Sequence, residues 1–218
     1  MSISILDIST WKRRKQYEFF IDYDDPTFNV TANVDVTRLY EFTKQNNLSF
    51  SLTSLFVLTR ACNDVEEFRY RLREGEVVIH DRVDAGSTVL LPDKTFTFVY
   101  LYYVDDIFTF CREGGAAVDA AKTAGVSLDS SEDENDALIH YSVVPWISFT
   151  SLKNPSSRGK NLSIPKIVIG KYFKEREQDG STVRKMPISV EAHHALMDGY
   201  HLGQYYHSVQ STIDELEL

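Results

Sequence analysis

The sequence has little cysteine, no long apolar run and no basic excess. Only Cys62 and Cys111 occur among its 218 residues, far apart and without metal-ligand spacing around them. This argues against a disulfide framework or a zinc site and predicts buried free thiols. No apolar stretch approaches the roughly 20 residues that a membrane-spanning helix needs. Residues 1–7 lack the basic start and apolar stretch of a signal peptide, so we expect a cytoplasmic protein without a membrane partner.

Charge and glycine distribution exclude further classes. The formal net charge is −9, with 23 Lys and Arg against 32 Asp and Glu, whereas nucleic-acid surfaces need clustered basic residues. We therefore expect no nucleic-acid partner. Part of the acidic excess lies in residues 129–136, which we predict to be a solvated loop without chemistry. The glycines are scattered and form no phosphate-binding turn.

Length and composition predict a single domain over residues 1–218. The chain is 43% hydrophobic and 12% aromatic, which suffices for one large core. It contains no internal repeat and no low-complexity linker.

Hydrophobic periodicity predicts alternating strands and helices. A surface helix is expected over 35–47, a buried helix over 52–62 and another helix over 111–124. Neighbouring strands are expected over 77–79, 87–91 and 95–104, and a further strand over 137–144. Residues 166–173 and 183–194 read as a long hairpin, and a last helix begins after residue 199. This pattern predicts an α/β (α+β) fold, a two-layer sandwich of a mixed β-sheet covered by helices.

The segment from His193 to Gly199 carries the most chemistry, because it lies on this last strand-loop-helix corner. A neutral imidazole there can take a proton from an alcohol at cellular pH. Asp198, four residues after His194, can brace the turn. Taken alone, the same residues are more typical of a helix N-cap, Asp198, and of ordinary polar groups at a strand end, His193 and His194.

The wider sequence favours the chemical interpretation. His-His-Ala-Leu-Met-Asp-Gly-Tyr-His, from residue 193, resembles the signature of the chloramphenicol acetyltransferase family. Three other blocks resemble that family in the same order, at residues 7–20, 142–151 and 165–172. The resemblance covers nearly the whole chain and implies acetyl transfer to a hydroxyl group.

The resemblance also assigns roles to the reacting groups. His194 corresponds to the family's general base, which deprotonates the acceptor hydroxyl. Ser142 corresponds to the hydroxyl that stabilises the oxyanion, whereas spacing alone does not distinguish it from Ser148 or Ser151. Asp198 corresponds to a structural carboxylate that pairs with Arg13.

Acetyl-CoA is the implied co-substrate, and no metal is implied. Trp146 and Lys171 correspond to positions near the coenzyme, where an indole lines a tunnel and an ammonium meets a phosphate. Neither cysteine lies in a matched block, which favours direct transfer in a ternary complex over an acyl-cysteine intermediate. The resemblance further implies a homotrimer with active sites at the subunit interfaces.

The expected acceptor is a small hydroxyl compound. Aromatic residues, including Phe20, Phe96 and Phe98, offer area for a ring, although core packing is their ordinary role. The chain departs from the family at four further pocket positions. Val168 replaces a common threonine, and polar side chains replace apolar ones at Asn154, Ser156 and Lys166. Because unpaired polar groups oppose an apolar ligand, we predict poor acetylation of chloramphenicol.

Two alternatives stay open from the sequence. Dihydrolipoamide acyltransferases share the His-x-x-x-Asp-Gly pattern, but they carry an N-terminal lipoyl module that is not expected here. A non-catalytic trimeric binding protein is the second alternative, which the joint presence of His194, Ser142, Asp198 and Arg13 disfavours.

Overall fold

The structure, a computed structural model, describes residues 2–127, 135–155 and 162–218. Within these ranges the chain forms a large mixed sheet, a small antiparallel sheet and the helices that flank them. The elements are β1 (Ile3–Ile5), α1 (Arg14–Phe20), β2 (Thr27–Asp35), α2 (Thr37–Gln45), α3 (Phe50–Asp64), β3 (Tyr70–Arg73), β4 (Glu76–His80), β5 (Asp84–Leu90), β6 (Phe96–Leu101), α4 (Ile107–Ala124), β7 (Leu138–Val144), β8 (Lys166–Gly170), β9 (Phe173–Arg176), β10 (Thr182–His193) and α5 (Gly199–Asp214).

The large sheet has the order β2-β10-β8-β7-β5-β6, and β9 pairs with β10. The β5–β7 and β7–β8 pairs are parallel, while the other pairs are antiparallel. The long hairpin expected from the sequence consists of β8 and β9, both paired with β10. The predicted mixed sheet is confirmed.

Helices α2 to α5 cover one face of this sheet. Ile139, Ile167 and Ile188 from the strands pack in one core with Leu58 of α3 and Val209 of α5. Helix α3 is buried around most of its circumference, as its apolar composition predicts. The predicted layer of helices on a mixed sheet is therefore confirmed. Among the described residues, no helix combines the length and apolar character needed to span a bilayer.

The opposite face of the sheet carries most of the polar strand residues. Side chains alternate between the faces of a strand, so the core position of Tyr141 directs His140 and Ser142 away from the helices. Neighbouring strands continue this face, because Ser142 pairs with Val168 and Val168 pairs with Ser189. A polar surface thus runs across β7, β8 and β10.

The position predicted for residues 77–79 is wrong. They belong to β4, which pairs with β1 and β3 in the small sheet, while β5 and β6 pair with each other in the large sheet. The chain changes sheets between β4 and β5, where the Asn63 amide donates to the carbonyl of Val83 and accepts from its N–H, at 3.0 and 2.8 Å. This side chain satisfies backbone groups that a continuous ladder would otherwise pair.

Helix α4 begins four residues before the position predicted from the sequence. The Asp106 carboxylate caps it by accepting from the backbone N–H of Thr109 at 2.7 Å. Glycine weakens a helix interior, yet Gly114 and Gly115 both lie inside α4. A Cβ atom at Gly114 would lie 3.1 Å from Leu52, so the missing side chain permits close packing of α3 and α4.

The prediction of a solvated loop over residues 129–136 is wrong for its last residue, Asp136. Residues 129–134 lie outside the described ranges. Asp136, by contrast, is mostly buried, forms an ion pair with Arg73 and lies 2.8 Å from Nε2 of His80. Burial raises the pKa of Asp136. Its hydrogen bonds with Arg73 and His80 lower the pKa by a larger amount, so the net shift is downward. Asp136 thus ties the start of β7 to the small sheet.

The two cysteines are free and buried, as predicted. Burial raises the pKa of both the Cys62 and the Cys111 thiol. Because the thiolate is the nucleophilic form, both groups are poor nucleophiles near neutral pH.

Candidate active site

His194 lies immediately after β10, at the corner that leads into α5. Its backbone N–H donates to the carbonyl of Pro26 at 2.8 Å. Its imidazole stacks on Phe20, with ring centroids 4.0 Å apart and planes 5° from parallel. Phe28 covers it from a second direction at 4.5 Å. The Nδ1 atom is buried and has no hydrogen-bond partner among the described residues, so the two phenyl rings fix the orientation of the imidazole.

Asp198 holds the other end of the same corner. Its carboxylate caps α5 by accepting from the backbone N–H of Tyr200 at 3.0 Å, and it forms an ion pair with Arg13. Burial raises the pKa of Asp198. The hydrogen bond and charge of Arg13 lower the pKa by a larger amount, so the net shift is downward. An ionised carboxylate therefore links the N-terminal segment to the corner through a charge-assisted hydrogen bond with Arg13.

His201 and Glu67 continue the chain of contacts that begins with Arg13 and Asp198. The sequence did not predict this part of the arrangement. Nδ1 of His201 lies 3.0 Å from Asp198 Oδ1, and its Nε2 lies 3.3 Å from Glu67 Oε1. Burial raises the pKa of Glu67, but its hydrogen bond with His201 contributes to a net downward shift. His201 thereby completes the capping box of α5 and connects the corner to the turn that precedes β3.

His193 is a structural residue in this arrangement, as its strand position suggested. It is 3% exposed, and its Nδ1 accepts from the backbone N–H of Ala195 at 3.2 Å. Burial, with a smaller contribution from His194, lowers its pKa to about 4. His193 is therefore neutral at pH 7 and stabilises the turn between β10 and α5.

This buried neutral histidine predicts a specific pH dependence of stability. Histidine titrates near pH 6.5 in unfolded chains, whereas folded His193 titrates near 4. Between these values the unfolded state binds more protons, so the free energy of unfolding decreases as the pH falls from about 6.5 to about 4. His193→Asn keeps an oxygen that can accept from Ala195 and removes the titration. We expect urea unfolding of this variant to show a shallower pH dependence.

The exposed His207 offers the matched control. His207→Asn should change the slope of unfolding free energy against pH much less than His193→Asn does. Identical slopes in wild type and His193→Asn would contradict the prediction.

Ser142 lines a cavity of about 320 Å³ on the helix-free face of the sheet. Four of the predicted pocket residues share this cavity with it: Phe96, Phe98, Asn154 and Lys166. The phenyl rings come from β6 and form an apolar wall, which Tyr100 continues. Asn154 and Lys166 form a polar wall. The structure thus brings most of the predicted pocket together around Ser142.

Three other predicted pocket residues do not line this cavity. Val168 is 1% exposed and is enclosed between Ser142 and Ser189 on the neighbouring strands, so it does not line this cavity, and its role in acceptor binding stays a prediction. Phe20 contacts His194 instead. Ser156 lies outside the described residues.

Glu191 lies buried behind the cavity's polar wall and was missed by sequence reasoning. It lies opposite Lys166 in the β8–β10 ladder, and their Nζ and Oε1 atoms are 3.1 Å apart. Its second oxygen accepts from the backbone N–H of Asn154 at 3.2 Å. A lone acidic residue in an apolar strand is unusual, which was the available signal.

The predicted coenzyme residues follow two neighbouring strands, Trp146 after β7 and Lys171 after β8. Lys171 lines a second cavity, of about 180 Å³, together with Phe50 and Tyr172. Gly170 keeps this segment close to its neighbours, because a Cβ atom there would lie 2.7 Å from Pro187. Trp146 is 62% exposed and does not line this cavity, but the adjacent Ile147 carbonyl accepts from the N–H of Lys171. The two predicted residues are therefore neighbours.

A third cavity, of about 390 Å³, lies between the sheet and helices α3 and α4. It shares Ser87 and Thr88 with the cavity around Ser142, and Ser51 and Val143 with the cavity at Lys171. The sheet separates it from the helix-free face that Ser142 occupies. Among the described residues, none of the three cavities is lined by His194.

Comparisons with known proteins agree with this architecture. A family profile described as "Chloramphenicol acetyltransferase" matches residues 1–210. A chloramphenicol acetyltransferase of Proteus mirabilis is 30% identical over 216 residues, covering 99% of this chain and 96% of that protein. One from Escherichia coli is 30% identical over 211 residues, covering 96% and 93%.

Solved structures give the same result. A structure titled "chloramphenicol acetyltransferase" superposes with a TM-score of 0.87 at 29% identity, covering 97% of this chain and 100% of that one. A dihydrolipoamide acetyltransferase of Azotobacter vinelandii has a TM-score of 0.65 at 17% identity, with 93% and 86% covered, which shows a shared fold only. The chain belongs to the chloramphenicol acetyltransferase family, a family of enzymes.

Proposed function

We propose that the protein is an acetyl-CoA-dependent O-acetyltransferase that acts in the cytoplasm. It transfers acetyl to a hydroxyl of chloramphenicol or a related small acceptor, directly and in a ternary complex. His194 is the general base. Family membership supports the reaction class, and the geometry around His194 and Ser142 supports the assignment of individual residues.

The stacked imidazole of His194 is the observation on which this proposal chiefly rests. A general base must present a nitrogen in a fixed direction toward the hydroxyl that it deprotonates. Phe20 and Phe28 restrict the ring, and the Arg13–Asp198 ion pair braces the corner that carries it. Since Nδ1 is buried, Nε2 is the nitrogen that accepts the proton.

Ser142 acts on the developing oxyanion. When the acceptor oxygen attacks the thioester carbon, negative charge collects on the carbonyl oxygen, and a positioned hydroxyl donor stabilises it. The carbon–sulfur bond then breaks, and the leaving thiolate takes the proton that His194 received. Both cysteines are buried and outside the three cavities, which is consistent with transfer without an acyl-enzyme.

Acetyl-CoA binds with a phosphate at Lys171 and reaches toward Ser142. The Lys171 ammonium meets the phosphate, and Trp146 lies beside the coenzyme. The hydrogen bond from the Lys171 N–H to the Ile147 carbonyl keeps these two residues close and supports this location.

His194 requires a second chain to meet the acceptor cavity. In one chain it lies outside that cavity, and beside it Phe19 and Tyr23 expose large apolar surfaces, at 62% and 47%. Exposed aromatic clusters of this kind are typical of association surfaces. We propose a homotrimer in which His194 of one subunit faces the Ser142 cavity of the next.

Thiol release from acetyl-CoA tests the reaction. Wild-type protein should release coenzyme thiol in the presence of chloramphenicol or another small alcohol, and at a much lower rate without an acceptor. Release only with a dihydrolipoamide acceptor would favour that reaction instead. Absence of release with every acceptor, with binding retained, would favour a non-catalytic binding protein.

Mixed oligomers test the shared site. Chains carrying His194→Ala and chains carrying Ser142→Ala should each be nearly inactive alone. Unfolded and refolded together in equal amounts, they should regain activity, because about a quarter of the interfaces then combine an intact His194 with an intact Ser142. The measurement is thiol release by the mixture relative to refolded wild type.

Refolding each variant alone is the matched control. A site contained within one chain predicts that the mixture stays as inactive as its components. That outcome, with co-purification of the untagged variant on an affinity tag carried by the other showing mixed oligomers, would overturn the shared site.

A further inference from the structure

Gly86 lies in the interior of β5 and lines the cavity around Ser142. The preceding residue, Ala85, packs in the core under the helices, so Gly86 faces the helix-free side of the sheet. It pairs with Tyr100 on β6 and with His140 on β7, which line the same cavity. Gly86 therefore forms part of the cavity floor, between two side chains that carry rings.

The fold does not require glycine at this position. The backbone of Gly86 is outside the left-handed region that favours glycine. Its pairing with β6 and β7 runs through it in regular register, without a bulge. A Cβ atom here would lie 3.6 Å from the Tyr100 ring and 3.8 Å from the His140 ring, which are ordinary van der Waals contacts. Alanine would therefore fit.

Glycine nevertheless weakens a strand, because it loses more conformational freedom on folding and has no side chain to pack. In strand interiors it often marks a bulge, a bend or a close approach of another backbone or a ligand. The register at Gly86 is regular, and the three nearest atoms of the described residues to its missing Cβ are side-chain atoms. A ligand in the cavity is the remaining group that can approach it.

The surroundings of Gly86 and its distance from Ser142 indicate which part of the acceptor lies there. The aromatic residues of β6 alternate toward this face and line the cavity: Phe96, Phe98 and Tyr100. On β7, Ser142 is two residues beyond His140, the partner of Gly86. At about 3.3 Å per residue, Gly86 lies roughly 6.6 Å from the level of Ser142 along the strands. A short alkyl chain spans this distance.

We propose that Gly86 is a specificity-determining residue that admits the ring of an arylalkyl alcohol, whose hydroxyl reaches Ser142 through a short alkyl chain. The ring lies against the backbone of Gly86 and meets the ring of Tyr100 edge to face, an arrangement that aromatic pairs favour. A side chain at position 86 would occupy the space of the ring. This inference rests on the proposed acetyl transfer, since it concerns the acceptor of the same site.

Two alcohols that differ only in the ring provide the test: propan-1-ol and 3-phenylpropan-1-ol. Wild-type protein should bind the phenyl compound about tenfold or more tightly, as burial of a phenyl ring allows. Gly86→Ala should reduce this preference about fourfold, the equivalent of one methylene group, and Gly86→Leu should abolish it. Ligand-observed nuclear magnetic resonance titrations without coenzyme measure the dissociation constants, and thiol release from acetyl-CoA measures the turnover of both alcohols.

The melting temperature shows whether the fold itself needs this glycine. Gly86→Ala should raise it by about 1–4 °C, because alanine fits and restricts the unfolded chain. Gly203→Ala on α5 is the matched control, since Gly203 is exposed and a Cβ atom there has no neighbour within 4 Å outside its own helix among the described residues. It should also raise the melting temperature and keep the wild-type preference. A lower melting temperature of Gly86→Ala would overturn the proposal.

Binding and turnover distinguish this proposal from acetyl transfer. A phenyl preference in binding that the Gly86 variants lose, without thiol release by the wild type, would support the specificity role and overturn acetyl transfer. Equal binding of the two alcohols by the wild type, binding of neither, or an unchanged preference in the variants would overturn the specificity role, even where thiol is released. A merely structural role predicts that the variants weaken both alcohols equally, which would also overturn it. Gly86→Ala alone decides if Gly86→Leu does not fold.

Discussion

Replacing His194 with alanine is expected to lower acetyl transfer by about 10²–10⁴-fold, the usual contribution of a general base. The acceptor hydroxyl is a poor nucleophile until its proton is removed, and no other imidazole occupies the position between Phe20 and Phe28. The loss should appear in the rate of thiol release at saturating acetyl-CoA and acceptor. The oligomer should remain folded, because no hydrogen bond of the His194 side chain with the described residues would be lost. Only the packing of its ring on Phe20 would change.

The adjacent histidine gives a control within the same turn. His193→Asn leaves the acceptor for the Ala195 N–H in place, so it should affect turnover much less than His194→Ala does. Coenzyme binding, measured by calorimetry, should be unchanged in both variants. Equal losses of turnover with intact coenzyme binding would show that the assignment of the base is wrong.

The sequence predicted those helices and strands whose buried face is marked by hydrophobic periodicity. Strand β10 and helix α5 were recognisable, because alternation and helical spacing meet at the corner after His193. Helix α3 was recognisable because its sequence is apolar around most of its circumference. The assignment of β4 to the small sheet was not, since it depends on Asn63 contacting Val83 across 20 positions, and strand propensity does not specify the partner of a strand.

Parts of the site depended on information beyond spacing. The His194–Asp198 corner follows from local sequence, whereas the contact of Arg13 with Asp198 spans 185 positions and was suggested only by the family resemblance. Glu67 and Glu191 were missed because a single carboxylate has no motif. Their significance depends on the partners His201 and Lys166, which the fold brings to them.

Burial separates Val168 from the cavity around Ser142. Val168 lies on the same face of the sheet as Ser142, its partner on β7. Facing the same side does not ensure access, however, because neighbouring strands and the segment that contains Leu152 cover this part of the sheet. Ser189, the partner of Val168, donates to the Leu152 carbonyl at 3.2 Å. The absent threonine hydroxyl thus affects an enclosed position.

The oxyanion contact predicts a second large effect. Ser142→Ala should lower turnover by roughly 10²-fold or more while the acceptor binds almost as tightly, because the hydroxyl is required chiefly in the transition state. Thiol release at saturating and at low acceptor concentrations separates the two quantities. A parallel loss of affinity would instead indicate that Ser142 binds the acceptor in the ground state.

Ser148 is the matched control for this substitution, because spacing alone did not distinguish it from Ser142. It is exposed, and its hydroxyl donates to the carbonyl of Lys171 rather than lining the cavity. Ser148→Ala should therefore retain most of the turnover. If Ser142→Ala reacts at the wild-type rate while Ser148→Ala does not, the oxyanion donor lies near Lys171. The cavity around Ser142 then serves acceptor binding alone.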